Sequence, residues 1–187
     1  MIPALTLHRP WPEAICRHGK LIENRVWAPP PKVRGRPMLL HAGAYFDGAG
    51  ADAIRELGFS VTPKGEAPQG LVGICRVVGV LREGPTPLSL PRVASVYDRA
   101  YQKHVESLTT SPWFSGPWGW VLADVVELPE AVPCKGALGL WTPGAEALGR
   151  VLEMLGAAGF GTYAGLPTLD EVREVEARAA AILAGKA

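Results

Sequence analysis

The sequence predicts an α+β domain built on a small β-barrel, with flanking helices and further helices at the end of the chain. Short Val-, Leu- and Ile-rich runs, some broken by glycine, fill the first two thirds. Pro and Gly clusters separate them, and helical apolar spacing is concentrated near the C-terminus. With 187 residues and 19.9 kDa there is enough chain for one sizeable core. Residues 1–143 are expected to form the barrel and 144–187 a helical extension packed on the same domain.

ALTLHRPW reads as a short first strand, with Leu5 and Leu7 on one face and Pro10 and Pro12 stopping it. A short helix follows in PEAICRHGK, with Gly19 as its left-handed stop. LIENRVW alternates as a strand does, and the prolines at 29–31 stiffen the link to RPMLLHAG, a strand expected to end near His41. DGAGADAIRELG fits a helix capped by Asp47 and stopped at Gly58. GLVGICRVVGVLR, residues 70–82, has the character of a long central strand bent at Gly73 and Gly79. Residues 92–106 are weakly helical, GWVLADVVEL begins another strand, and LPEAVPCKGALGLW is extended and interrupted. In EALGRVLEMLG, Leu148, Val151, Leu152 and Leu155 recur at helical spacing, and TLDEVREVEARAAAIL adds a capping box and a last helix.

Composition narrows the function classes. Mean hydropathy is +0.11, yet no apolar run approaches the roughly 20 residues that span a bilayer, so the expectation is a cytoplasmic protein. Cys16, Cys75 and Cys134 lie far apart without a C-x-x-C pair and are expected to be free, buried thiols. No His or Cys spacing implies a metal, and neither metal nor cofactor is expected. Net charge is only +1, but residues 1–36 carry a local balance of +5, leaving −4 for the remainder. Such a segment suits a phosphate-bearing ligand, although basic clusters also arise by chance.

The most informative stretch is GKLIENRVW. On a strand, Glu23, Arg25 and Trp27 share one face and Ile22, Asn24 and Val26 the other, with Lys20 just before them. If Ile22 and Val26 face the core, the Glu-Arg-Trp face meets either solvent or a cleft. A lysine offers phosphate a point charge, an arginine a planar fork, and a glutamate an acceptor for an exocyclic amine. The plainer reading is an exposed Glu23–Arg25 pair contributing about 0–1 kcal/mol.

LTLHRPWPEAICRHGKLIENRVW, followed by RGRPMLLHAG, resembles the activating signal cointegrator 1 homology (ASCH) domain of the PUA-like superfamily. The likeness rests on the R-P-W segment, the Gly19-Lys20 step, the K-x-x-E-x-R spacing of Lys20, Glu23 and Arg25, and the R-G-x-hydrophobic strand ending in His-Ala. GLVGICRVVGV and SPWFSGPWGWVLADVVEL resemble the family's central and later strands, extending the likeness over residues 4–141. The resemblance implies a small PUA-like barrel, with a cleft where the motif meets the loop before the Gly-Trp strand. It also implies RNA or other nucleic-acid binding. Some relatives hydrolyse acylated cytidine nucleosides and others cleave RNA. Lys20 matches the lysine of the amidohydrolases, while Glu23 stands where they carry threonine.

SPWFSGPWGW places three tryptophans among Ser, Gly and Pro, and Trp11 faces them in the expected cleft. Aromatic faces stack unpaired bases, although a small barrel also needs large core plugs. Trp118 and Trp120 should share a face, and Trp113 or Trp118 is favoured over Trp120 as a base platform. His41 is read either as a cleft acid or base or as a satisfied turn histidine. His8 and His18 end the first strand and the first helix. The candidate nucleic-acid contacts are Arg9, Trp11, Lys20, Arg25, Trp113, Trp118 and Lys135, and the candidate catalytic pair is Lys20 and Glu23. The leading expectation is an RNA- or single-strand-binding module. A hydrolase acting on a modified nucleoside or RNA in the same cleft is the alternative, and a protein-recruiting scaffold using the last helices a third.

Overall fold

A computed structural model of the chain describes residues 2–86 and 88–157. Its framework is one mixed sheet of seven strands with four α-helices. In chain order these are β1 (Ala4–Arg9), α1 (Trp11–Arg17), β2 (Ile22–Arg25), β3 (Pro37–Phe46), α2 (Gly48–Glu56), β4 (Gly70–Arg82), β5 (Arg92–Val96), α3 (Gln102–Ser107), β6 (Trp118–Val132), β7 (Leu140–Trp141) and α4 (Ala145–Ala157). The last predicted helix, TLDEVREVEARAAAIL, lies outside the described residues.

The strands run in the order β2-β6-β4-β3-β1-β7, with β5 pairing with β4 beyond the end of β3. β1 and β3 are parallel and the other ladders antiparallel. The expected closed barrel is corrected to an open sheet. At its ends β2 has four residues and β7 two, too few for a continuous ladder between them. The ends nevertheless come within side-chain reach, because Arg25 Nη2 on β2 lies 3.4 Å from the Thr6 carbonyl oxygen on β1. β7 pairs only with Ala4 and Leu5, so among the described residues no partner strand continues along that edge of β1 from Thr6 to His8.

Burial explains why these segments cohere. One core joins Leu5, Leu7, Met38, Leu40 and Trp120 from the sheet to Ile15 of α1. A second seats Leu148, Val151, Leu152 and Leu155 of α4 on Ile2, Ala4, Leu39 and Ile74, and a third packs Val105 of α3 on Ile22, Val78, Leu81 and Val121. Each fully buried aliphatic side chain contributes ~1.5–3 kcal/mol. The four apolar anchors of α4 therefore outweigh its internal Gly149, which costs ~1 kcal/mol relative to alanine.

Several expectations are corrected. β3 runs through His41 to Phe46, because Arg9 bonds its distal carbonyls. Residues 92–96 form β5 before a short helix replaces the single weak helix expected from 92 to 106. Val26, assigned to the core side, lies past the end of β2 and is 81% exposed. The three cysteines are free, but only Cys75 is buried while Cys16 and Cys134 are partly exposed; burial pushes the Cys16 thiol up to about 12. Among the described residues no helix is long and apolar enough to cross a membrane.

His41 lies in the interior of β3 rather than at a cleft mouth. Its Nε2 is 3.1 Å from the Cys134 carbonyl oxygen, its ring meets Trp141 edge-on, and its buried Nδ1 has no hydrogen-bond partner. The carbonyl requires the proton on Nε2, so charging the ring would place a second proton on Nδ1 without an acceptor. Burial lowers the His41 pKa below the ordinary histidine value of 6.5. The unfolded chain therefore binds this proton first as pH falls. The His41 contribution to stability is complete above about pH 6.5 and is lost from there down to its lower folded-state pKa. Urea midpoints between pH 7.5 and pH 5 should fall less in His41→Gln than in wild type, and equal falls would refute the assignment.

Two glycines give opposite expectations. Gly149 has open space where a Cβ would stand, so Gly149→Ala should stabilise by ~0.5–1 kcal/mol. Gly70 has φ +114°, and a Cβ there would lie 2.3 Å from the Val132 carbonyl oxygen. Gly70→Ala should lower the urea midpoint while Gly149→Ala raises it.

Candidate functional site

The predicted motif lies at the seam where the two ends of the sheet approach. Just past the end of α1, Gly19 with a φ of +68° turns the chain, and the Lys20 amide then bonds the Ala14 carbonyl. Lys20 is thereby fixed before β2 begins. In the β2–β6 ladder Glu23 pairs with Trp120 and Arg25 with Trp118. Trp120 belongs to the first core, so register aims Glu23 toward the interior at the sheet's end.

Burial decides between the two readings of the motif. Lys20 is 3% exposed and Glu23 6%, which excludes a solvated surface pair. Lys20 Nζ stands 3.2 Å from Glu23 Oε2, bonds the Ile22 carbonyl oxygen, and lies 5.4 Å from the Trp11 ring centroid. Its positive charge is therefore spent on neighbours within the protein. Arg25 Nε is 3.0 Å from Glu23 Oε1, but its N–H makes no hydrogen bond in that arrangement. Apart from the long Thr6 contact, no hydrogen bond among the described residues engages the terminal nitrogens of Arg25, and its side chain is 22% exposed. Two cations and one carboxylate leave the cluster with a net charge of +1, with the more accessible charge on Arg25.

Beside this cluster lies a pocket of about 390 Å³. One wall is the bare stretch of β1 from Thr6 to His8, the opposite wall is the motif, and Trp11 and Ser115 complete it. Asn24 secures the loop before β6. Its amide donates to the Trp113 carbonyl oxygen at 2.8 Å, and its side-chain oxygen accepts from the Ser115 amide at 2.9 Å. Trp11 is secured by its indole N–H, which donates to Asp47 Oδ2 at 2.9 Å, while Asp47 Oδ1 caps α2 through the Gly50 amide.

The other predicted residues separate. Arg9 is buried, and its guanidinium donates to the carbonyl oxygens of Gly43, Ala44, Lys64 and Ala67, so it positions backbone. Trp113 stacks on Phe59, with 5.8 Å between ring centroids, and packs in the third core. Trp118 carries the Arg82 guanidinium 5.1 Å from its ring centroid and packs against the first core. Trp120 is fully buried. Lys135 is exposed in the loop held by His41, outside the residues lining this pocket. His18 stacks on Phe59 rather than lining it. Among the described residues no three His, Cys, Asp or Glu side chains gather as a metal site.

Thr6, Asn24 and Ser115 are pocket residues that the motif did not identify. Alternation placed Asn24 on the face opposite Glu23, and that face is where the Trp-rich loop crosses. An amide within a charged strand facing a Ser-Gly-Pro loop was the available signal. Known protein-family models and curated proteins gave no match to this chain. Its functional reading consequently rests on the geometry and the motif.

Removing one partner of a buried pair leaves an uncompensated charge and costs ~3–5 kcal/mol. Glu23→Gln should destabilise by about that amount in urea unfolding, because it leaves the buried Lys20 ammonium without its carboxylate. The Lys20→Met/Glu23→Gln double variant should recover part of the loss, and additive losses would contradict coupling within the cluster.

Proposed function

We propose that this chain is a nucleic-acid-binding module, most simply for single-stranded RNA, with its ligand in the seam pocket. The observation carrying this reading is the cluster of buried Lys20 and Glu23 with half-buried Arg25, which retains net positive charge and has Arg25 donors beside an open pocket. Arg25 is the contact for a phosphate or base edge, and Trp11 is the aromatic wall. Lys20 aligns Glu23, which orients Arg25 or accepts from a base. On this reading the open α+β sheet is a variant of the PUA-like fold that the ASCH resemblance implies, without the closed barrel.

The hydrolase reading uses Glu23 as a general base. A general base needs a carboxylate oxygen free to take a proton from the substrate. Here Oε2 lies beside Lys20 Nζ and Oε1 beside Arg25 Nε, an arrangement that favours orienting and binding over proton abstraction.

Titration with a labelled single-stranded RNA pool at two salt concentrations tests the proposal. Affinity should fall as salt rises and fall about tenfold or more in Arg25→Ala, as loss of a charge-assisted contact worth ~1.5–3 kcal/mol requires. The salt dependence should also become shallower. Unchanged RNA binding by a folded Arg25→Ala variant would overturn the reading. Cleavage of the same RNA, abolished by Glu23→Gln, would favour the hydrolase.

A further inference from the structure

We propose that Tyr45 and His8 form a second aromatic subsite beside the pocket, so that the ligand is a strand of at least two consecutive nucleotides rather than a free mononucleotide. This rests on the nucleic-acid reading above and extends it to a surface outside the motif. His8 lines the pocket at the bare edge of β1. The Tyr45 ring meets it edge-on, with 4.5 Å between ring centroids, and remains 61% exposed. A chain leaving the pocket over His8 would therefore encounter an exposed aromatic face within about one ring's width.

An isolated exposed tyrosine needs no functional explanation. Tyr45 differs because the backbone on either side of it is held from beneath. The buried Arg9 guanidinium bonds the carbonyl oxygens of Gly43 and Ala44 and lies 5.9 Å from the Phe46 ring centroid. The Asp47 amide then bonds the Arg9 carbonyl oxygen at 2.6 Å, and Asp47 also holds Trp11. One set of contacts thus connects the pocket's aromatic wall to the Tyr45 platform. A rigid platform loses little additional conformational freedom when a base stacks on it, which favours binding. Arg9, whose charge is occupied by carbonyls, acts here as a positioning residue.

The test compares the full chain with Tyr45→Ala, Tyr45→Phe and Arg25→Ala against two probes. These are a labelled nine-nucleotide single-stranded RNA of mixed sequence and an equimolar set of nucleoside monophosphates. Tyr45→Ala should weaken the nine-nucleotide probe about 5- to 150-fold, the range expected for loss of one stacked base, and leave mononucleotide affinity unchanged. Tyr45→Phe should bind both probes as wild type does. The second subsite is overturned if Tyr45→Ala keeps full affinity for the longer probe or loses both probes equally. If Arg25→Ala binds both probes like wild type, the pocket reading fails whatever Tyr45 does. Failure of wild type to bind either probe overturns both proposals.

Discussion

The Glu23 carboxylate is the group around which the seam of this sheet is organised. A carboxylate at 6% exposure cannot remain charged there alone, because its desolvation costs several kcal/mol. Lys20 and Arg25 provide the compensation, and each does so at one oxygen. The two cations then differ in what remains available. Lys20 is also committed to a backbone carbonyl and an aromatic face, whereas most of the Arg25 fork lies beside the pocket. A motif with two basic residues thus presents one accessible cation.

The same arrangement is compatible with a sheet that stays open. Hydrogen-bonded closure would bring complementary backbone edges of β1 and β2 together, but this seam contains charged side chains and a pocket. Among the described residues, the long Arg25–Thr6 contact bridges it at this point. Around it, Asn24 fixes the loop before β6 and Asp47 fixes Trp11. Partly buried, satisfied polar groups of this kind hold walls in place while costing little desolvation. The pocket's rigidity comes from several polar anchors in addition to the apolar core.

Alternation and turn chemistry made much of the framework legible. Residues 70–82 form β4, the four apolar positions of α4 face the core, and Asp47 caps α2. Strand closure was less legible because it depends on the lengths of β2 and β7, set by departures of the chain at Val26 and Trp141 rather than by apolar periodicity. Alternation left the motif's face open between solvent and a cleft, and its division of labour could not be read from spacing at all. Spacing treats Lys20 and Arg25 as equivalent cations, and only their packing distinguishes a support from an accessible contact. Arg9 is subject to the same limitation, since a sequence cannot say that one guanidinium will bond four carbonyls.

Those fates also limit what the basic segment can mean electrostatically. Within residues 1–36, Arg17 pairs with Glu127, Arg34 donates to the Pro29 carbonyl oxygen beside Tyr97, and Arg9 is buried among carbonyls. The local balance of +5 is therefore distributed among anchors instead of concentrated in one exposed patch. Long-range attraction of a polyanion weakens when charges are dispersed and screened over a Debye length of about 8 Å at physiological salt. On the proposed nucleic-acid reading, recognition relies on one well-placed guanidinium, shape and aromatic contact. Modest salt dependence with a strong response to Arg25 is the electrostatic character that follows.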